Sequence, residues 1–162
     1  MGNIRFKHIL VLVGVLFIGG IIYLSGRGGS AVPAEAAELT GMSVIVYKSP
    51  TCGCCQNYAS YLRRAGLNVT VKETLDMNAI KEQYKIPAGL SSCHTTVLGE
   101  YVIEGHIPVE AIAKLVKERP ALSGIALPGM PVGSPGMPGP KTGSWDIFGL
   151  TASGESDVFM TL

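Results

Sequence analysis

Charge is scarce in this chain: 15% of its 162 residues are Asp, Glu, Lys or Arg, and 13 basic against 12 acidic side chains leave a net charge of +1. There is no positive excess to neutralise a phosphate backbone and no acidic tail, so nucleic acid is not an expected partner. A phosphate-binding glycine loop, a hydrolytic triad and a paired-carboxylate site are also missing, and the chemistries that need them have no residues to carry them. At 17.0 kDa there is room for one domain with extensions, not for a two-domain dehydrogenase, a TIM barrel or a kinase.

Despite the missing charge, a mean hydropathy of +0.34 is too apolar for disorder, and one segment raises the average. Ile9 to Leu24 runs sixteen residues without a charge, preceded by Arg5, Lys7 and His8 and followed by Arg27. That is the layout of a secretory signal or of a single anchor slightly short of the roughly 17 to 25 residues that span hydrocarbon. Ala34-Glu35-Ala36 offers a small-residue cleavage pattern, but far beyond the apolar run. Residues 1–25 are therefore expected to be a signal sequence or membrane anchor. Either way the remainder faces an extracytoplasmic, oxidising space, with Arg5 and Lys7 left inside.

Residues 26–41, rich in Gly, Ala and Ser around Pro33, read as a linker, and residues 42–162 as the functional domain. Val44 to Tyr47 is a β-rich run ended by Ser49-Pro50. Cys55, Tyr58, Leu62 and Ala65 then recur at helical spacing, with Gly66 as the stop. Val69 and Val71 alternate as a second strand, and Asp76 caps a short helix that Pro87 prevents from continuing. Thr95 to Leu98 and Tyr101 to Ile103 flank Gly99-Glu100 as a hairpin expected at the sheet edge, and Pro108 opens a helix with an apolar stripe. The order β-α-β-α-β-β-α predicts an α/β fold of the thioredoxin-like kind. Ala126 to Gly139, with four Pro and four Gly, is an irregular loop in which Pro-Gly-Met occurs twice, and Trp145 to Leu150 with Val158 to Leu162 predicts a C-terminal β-hairpin.

Four cysteines in an exported domain suggest structural disulfides, but Cys52, Cys54 and Cys55 lie within four residues, where cross-links close trivial loops and stabilise little. Cys52 and Cys55 instead form a CxxC pair at a helix N-terminus, where partial positive charge and free N–H groups favour thiolate. Cys93 and His94 immediately precede the third strand, which in this topology begins beside the CxxC loop. An ordinary redox member of the fold carries a cis-proline there; here a thiol and an imidazole replace it. Four sulfurs and an imidazole suit Cu(I) or Zn(II) and not Ca(II) or Mg(II). Met130 and Met137 tilt the choice toward Cu(I), for which thioether is the better ligand, although each is alternatively a gap-filling apolar contact. His106, after Glu104-Gly105, is a further candidate ligand or neighbour of the site.

The stretches TCGCC (51–55), SCHTTV (92–97), YVIEGHIP (101–108) and LPGMPVGSPGM (127–137) resemble the CopG-like copper-resistance proteins, which are bacterial, extracytoplasmic and thioredoxin-like. The resemblance covers roughly residues 43–162. It implies a periplasmic or surface location, copper handling by the cysteine cluster and a redox role for the metal. Cys52, Cys54, Cys55, Cys93, His94, His106, Met130 and Met137 fall on the family's motif positions. Tyr58 departs from the pattern, since similar proteins usually carry Trp there. The expected partners are the metal ion and other copper-handling proteins, with the membrane where the N-terminal segment is retained. Competing readings are a thiol-disulfide oxidoreductase using Cys52 and Cys55, an oxidase or reductase acting on copper, and a structural zinc module.

Overall fold

The computed structural model describes residues 34–154 and 157–162, so the apolar N-terminal run, its flanking charges and the signal or anchor expected of it lie outside the described residues. Among the described residues no helix is long and apolar enough to cross a membrane. The described residues form one unit. Its order is α1 (Ala34–Ala37), β1 (Ser43–Lys48), α2 (Gly53–Arg64), β2 (Asn68–Glu73), α3 (Met77–Gln83), a 3-10 turn (Ala88–Leu90), β3 (His94–Leu98), β4 (Tyr101–Glu104), α4 (Val109–Glu118), β5 (Gly124–Ala126), β6 (Asp146–Leu150) and β7 (Val158–Thr161). The fold is mixed α/β, and from β1 to α4 its order is the one the sequence predicts.

Seven strands make a single sheet in the order β2-β1-β3-β4-β5-β6-β7. β1 and β2 are parallel, as a strand–helix–strand crossover requires, while β1–β3 and β3–β4 are antiparallel. The β3–β4 hairpin turns through Gly99, whose φ of +58° suits the two-residue connection. It does not sit at the sheet edge as expected. β5 pairs parallel to β4, and the β6–β7 hairpin continues the sheet beyond it, so β3 and β4 are central and almost wholly buried.

The strand β5 is absent from the sequence reading for a physical reason: Gly124-Ile125-Ala126 is too short to show a period. Its glycine is nevertheless required, because a Cβ there would lie 1.9 Å from the Val102 carbonyl oxygen of β4.

One face of the sheet carries the larger core. Tyr58 and Leu62 of α2 and Ile112 and Leu115 of α4 pack there with Val44, Val46, Ile103, Ile125 and Ile147. Ala36 and Leu39, in the stretch read as a linker, are fully buried in the same core. On the other face Ile86, Leu90, Val102, Ala126 and Leu150 form a smaller cluster with Tyr84 and Phe148. The fold thus places the start of α2, the start of β3 and the end of β4 at one end of the sheet.

Candidate metal centre

Cys52 is the N-cap of α2, with its Sγ 3.3 Å from the Cys55 amide nitrogen that donates to it. Cys55 is buried and disulfide-bonded to Cys52, while Cys54 and Cys93 are free and half-buried. Antiparallel pairing of β1 with β3 sets Lys48 opposite His94, which brings the residue before β3 beside the loop after β1. In consequence the Cys93 Sγ lies 3.6 Å from that of Cys55 and 3.9 Å from that of Cys54, and Cys54 and Cys52 sulfurs are 3.4 Å apart. Burial, then the neighbouring Cys54, pushes the Cys93 thiol up to about 12.

The imidazoles close the other side of Cys93. His94 Nδ1 lies 3.3 Å from the Cys93 sulfur and His106 Nε2 3.1 Å from it. A carbonyl can only accept, so the 2.7 Å contact of His106 Nδ1 with the Pro135 carbonyl puts the ring proton on Nδ1 and leaves the Nε2 lone pair facing the thiol. Both histidines are fully buried, and burial lowers the basicity of each; for His94 the nearby His106 adds to this. His94 Nε2 has no hydrogen-bond partner. Two groups of metal-ligating atoms result, Cys52/Cys54/Cys55/Cys93 and Cys93/His94/His106, each with its atoms within 4.8 Å of one another. Cys93 belongs to both.

Tyr58 organises the rings. Its centroid is 4.5 Å from that of His94 and 5.5 Å from that of His106, and its hydroxyl donates to the Ile107 carbonyl at 2.9 Å. The Pro/Gly/Met loop reaches the centre through its backbone. Besides the Pro135 carbonyl on His106, its Gly136 packs against the first turn of α2, where Asn57 donates to the Gly136 carbonyl at 3.4 Å. Met137 shares an open cleft with Cys54. Met130 is half exposed at the other end of the loop, next to Gly129, whose carbonyl accepts from the Ser92 hydroxyl.

The sequence reading missed Glu104. This carboxylate is fully buried behind the Cys93-His94 corner and accepts from the Ser92 amide at 2.6 Å, from the Thr95 hydroxyl at 2.6 Å and from the Lys81 ammonium of α3. Its one legible signal is a carboxylate closing an otherwise apolar strand, Tyr101 to Ile103. The convergence of three donors from α3, β3 and the loop before β3 is tertiary and has no linear trace.

Comparison with known proteins fits this geometry. A protein-family model described as a protein of unknown function, DUF411, matches residues 90–137, the stretch that holds Cys93, His94, His106, Met130 and Met137. No curated protein matches the chain. Two solved structures named copper resistance protein CopG, form 1 and form 2, are each 39% identical to it, with TM-scores of 0.70 and 0.71. Each alignment covers 75% of this chain and 98% of the solved one.

Proposed function

This chain belongs to the family of the copper resistance protein CopG, and from that premise we propose that it binds copper, as Cu(I), in its Cys/His cluster and serves copper resistance or trafficking outside the cytoplasm. The observation that carries the reading is the position of Cys93, whose sulfur lies within 3.9 Å of two other sulfurs and of two imidazole nitrogens. Soft thiolates flanked by neutral imidazoles suit Cu(I) better than any hard cation. Low histidine basicity keeps both rings unprotonated and available as ligands near neutral pH. Binding displaces the thiol protons, and reduction of the Cys52–Cys55 disulfide enlarges the donor set from two thiols to four. A ligand set of both sulfur and nitrogen also accommodates Cu(II), which supports a redox change of the bound metal.

Anaerobic titration of the reduced full chain with Cu(I) is expected to produce thiolate-to-copper charge-transfer absorption, and elemental analysis of protein from metal-replete cells is expected to find copper. A titration without that absorption, or a zinc-only preparation, overturns the reading. The N-terminal apolar run with Arg5 and Lys7 supports export, and cell fractionation tests it.

A second reading, thiol-disulfide exchange by Cys52 and Cys55, is favoured by their disulfide at the start of α2. It predicts insulin-reducing activity that survives Cys54→Ser combined with Cys93→Ser, whereas the copper reading predicts that this variant loses its metal.

A further inference from the structure

Beside the metal centre, on the solvent side of Cys54, lies an open cleft of about 470 Å³. Its wall is one stripe of α2, since Cys54, Asn57, Ser60 and Arg64 recur at steps of three and four residues, and its opposite lip is Met137 with Pro138. The two ends differ in chemistry. At the N-terminal end is a free, half-buried thiol that belongs to the metal-ligating group, with a thioether across from it. At the other end is the Arg64 guanidinium, which among the described residues has no carboxylate partner. Between them are a hydroxyl and an amide, of which Ser60 donates to the Gln56 carbonyl and keeps its oxygen lone pairs available.

The spacing limits what fits. Positions ten residues apart on a helix are about 15 Å apart, and an arginine side chain leans back toward the helix N-terminus, which shortens that span. An extended peptide of three residues reaches about 10 Å. We propose that this cleft binds a low-molecular-weight thiol of tripeptide size bearing a carboxylate, with its sulfur at Cys54 and its carboxylate on Arg64, and that the cluster exchanges Cu(I) with it.

The transfer half rests on the copper reading above; the binding half does not. Transfer is a ligand exchange in which the bond from Cu(I) to the incoming sulfur breaks as the bond to Cys54 forms. The Cys54 proton goes to the departing thiolate, and no electron moves.

Glutathione serves as the probe, on the reduced full chain under anaerobic conditions. Calorimetric titration of the metal-free protein is expected to give saturable binding that Arg64→Glu weakens at least tenfold. Arg63→Glu, which alters a neighbouring arginine bonded instead to the Val69 carbonyl, is expected to change nothing. Absence of binding, or equal effects of the two variants, overturns the assignment whatever the protein does with copper. Stopped-flow uptake of Cu(I) then compares a glutathione complex with an acetonitrile complex as donor. Arg64→Glu is expected to slow the first at least tenfold and leave the second unchanged. Slowing of both alike overturns the transfer step, and uptake from neither donor overturns the copper reading, and transfer with it, while the calorimetry still decides the cleft.

Discussion

At the scale of single residues, the centre depends on two groups that act in different ways. Cys93 is the sulfur common to both sets of candidate ligands, so its replacement opens both at once. Cys93→Ser is expected to weaken thiolate-to-copper absorption, leaving only what Cys52, Cys54 and Cys55 support, and to lower retained copper at least tenfold, with little change in thermal midpoint, because its side chain is only half-buried; retention of a full copper complement after dialysis against a Cu(I) chelator would refute the shared role. Glu104 touches no candidate ligand atom but fixes the backbone that carries two of them, through the Ser92 amide and the Thr95 hydroxyl. Its charge is matched by Lys81, which is itself largely buried. Removing one partner of a buried pair costs about 3 to 5 kcal/mol, since the other charge is left uncompensated. Lys81→Met is therefore expected to destabilise the protein by that amount in denaturant titrations. Glu104→Gln, which keeps an acceptor for Ser92 and Thr95, is expected to hold more copper than Glu104→Ala at equal folded fraction. Equal copper loss in the two variants would reduce Glu104 to a stability residue with no positioning role.

At the scale of elements, the decisive contact is the docking of the Pro/Gly/Met loop on α2. Gly136 has φ +88°, and a Cβ there would stand 2.7 Å from the Tyr58 amide nitrogen and 2.9 Å from the Cys54 carbonyl oxygen. Gly143 has a similar φ of +75° but open space around its Cβ position. Alanine at either position carries the left-handed strain of about 1 to 2 kcal/mol. At Gly136 alone the clash also lifts the loop and takes the Pro135 carbonyl from His106. Gly136→Ala is thus expected to weaken Cu(I) binding at least tenfold in chelator competition, against less than twofold for Gly143→Ala; equal effects would mean that the loop does not orient the imidazole. The sequence foretells the loop's composition but not its seat, because proline and glycine exclude helix and ladder without choosing a conformation. The meeting of Cys93 with the CxxC loop was legible, since chain order and crossover rules place the third strand beside the first. The contact of His106 with Cys93 was less so, for it depends on the turn after β4, where Gly105 at φ +81° packs against Ser92. The strand β5 and the Glu104 network left no linear pattern: one is too short for a period, and the other draws donors from α3, β3 and the loop before β3.

At the scale of the whole molecule, the metal centre sits at one end of the sheet while the larger core runs from α2 and α4 across to β6. The core is closed by apolar packing of its own, so stripping metal is expected to leave the chain folded. Loading is expected to raise the unfolding midpoint with ligand concentration, as any ligand specific to the native state does; unfolding on chelation would instead favour a structural zinc module. Acid provides a separate test on metal-free protein. His94 and His106 are buried in a neutral state, so their folded pKa values lie below the unfolded value of about 6.5. Below that pH the unfolded chain binds more protons than the native one, and stability falls as pH falls; above it the two states carry the same histidine charge and the slope vanishes. Each histidine contributes at most about 1.4 kcal/mol per pH unit between pH 6.5 and its folded value. Guanidinium unfolding of the metal-free chain is expected to be flat in this respect from pH 8 to 7 and to lose stability from pH 6.5 to 5. His94→Asn is expected to flatten the acid limb, because it removes the ring whose basicity burial and the neighbouring His106 lower furthest. A limb unchanged by that substitution would mean that His94 is not held neutral by the fold, and would remove the basis for its availability as a ligand at neutral pH.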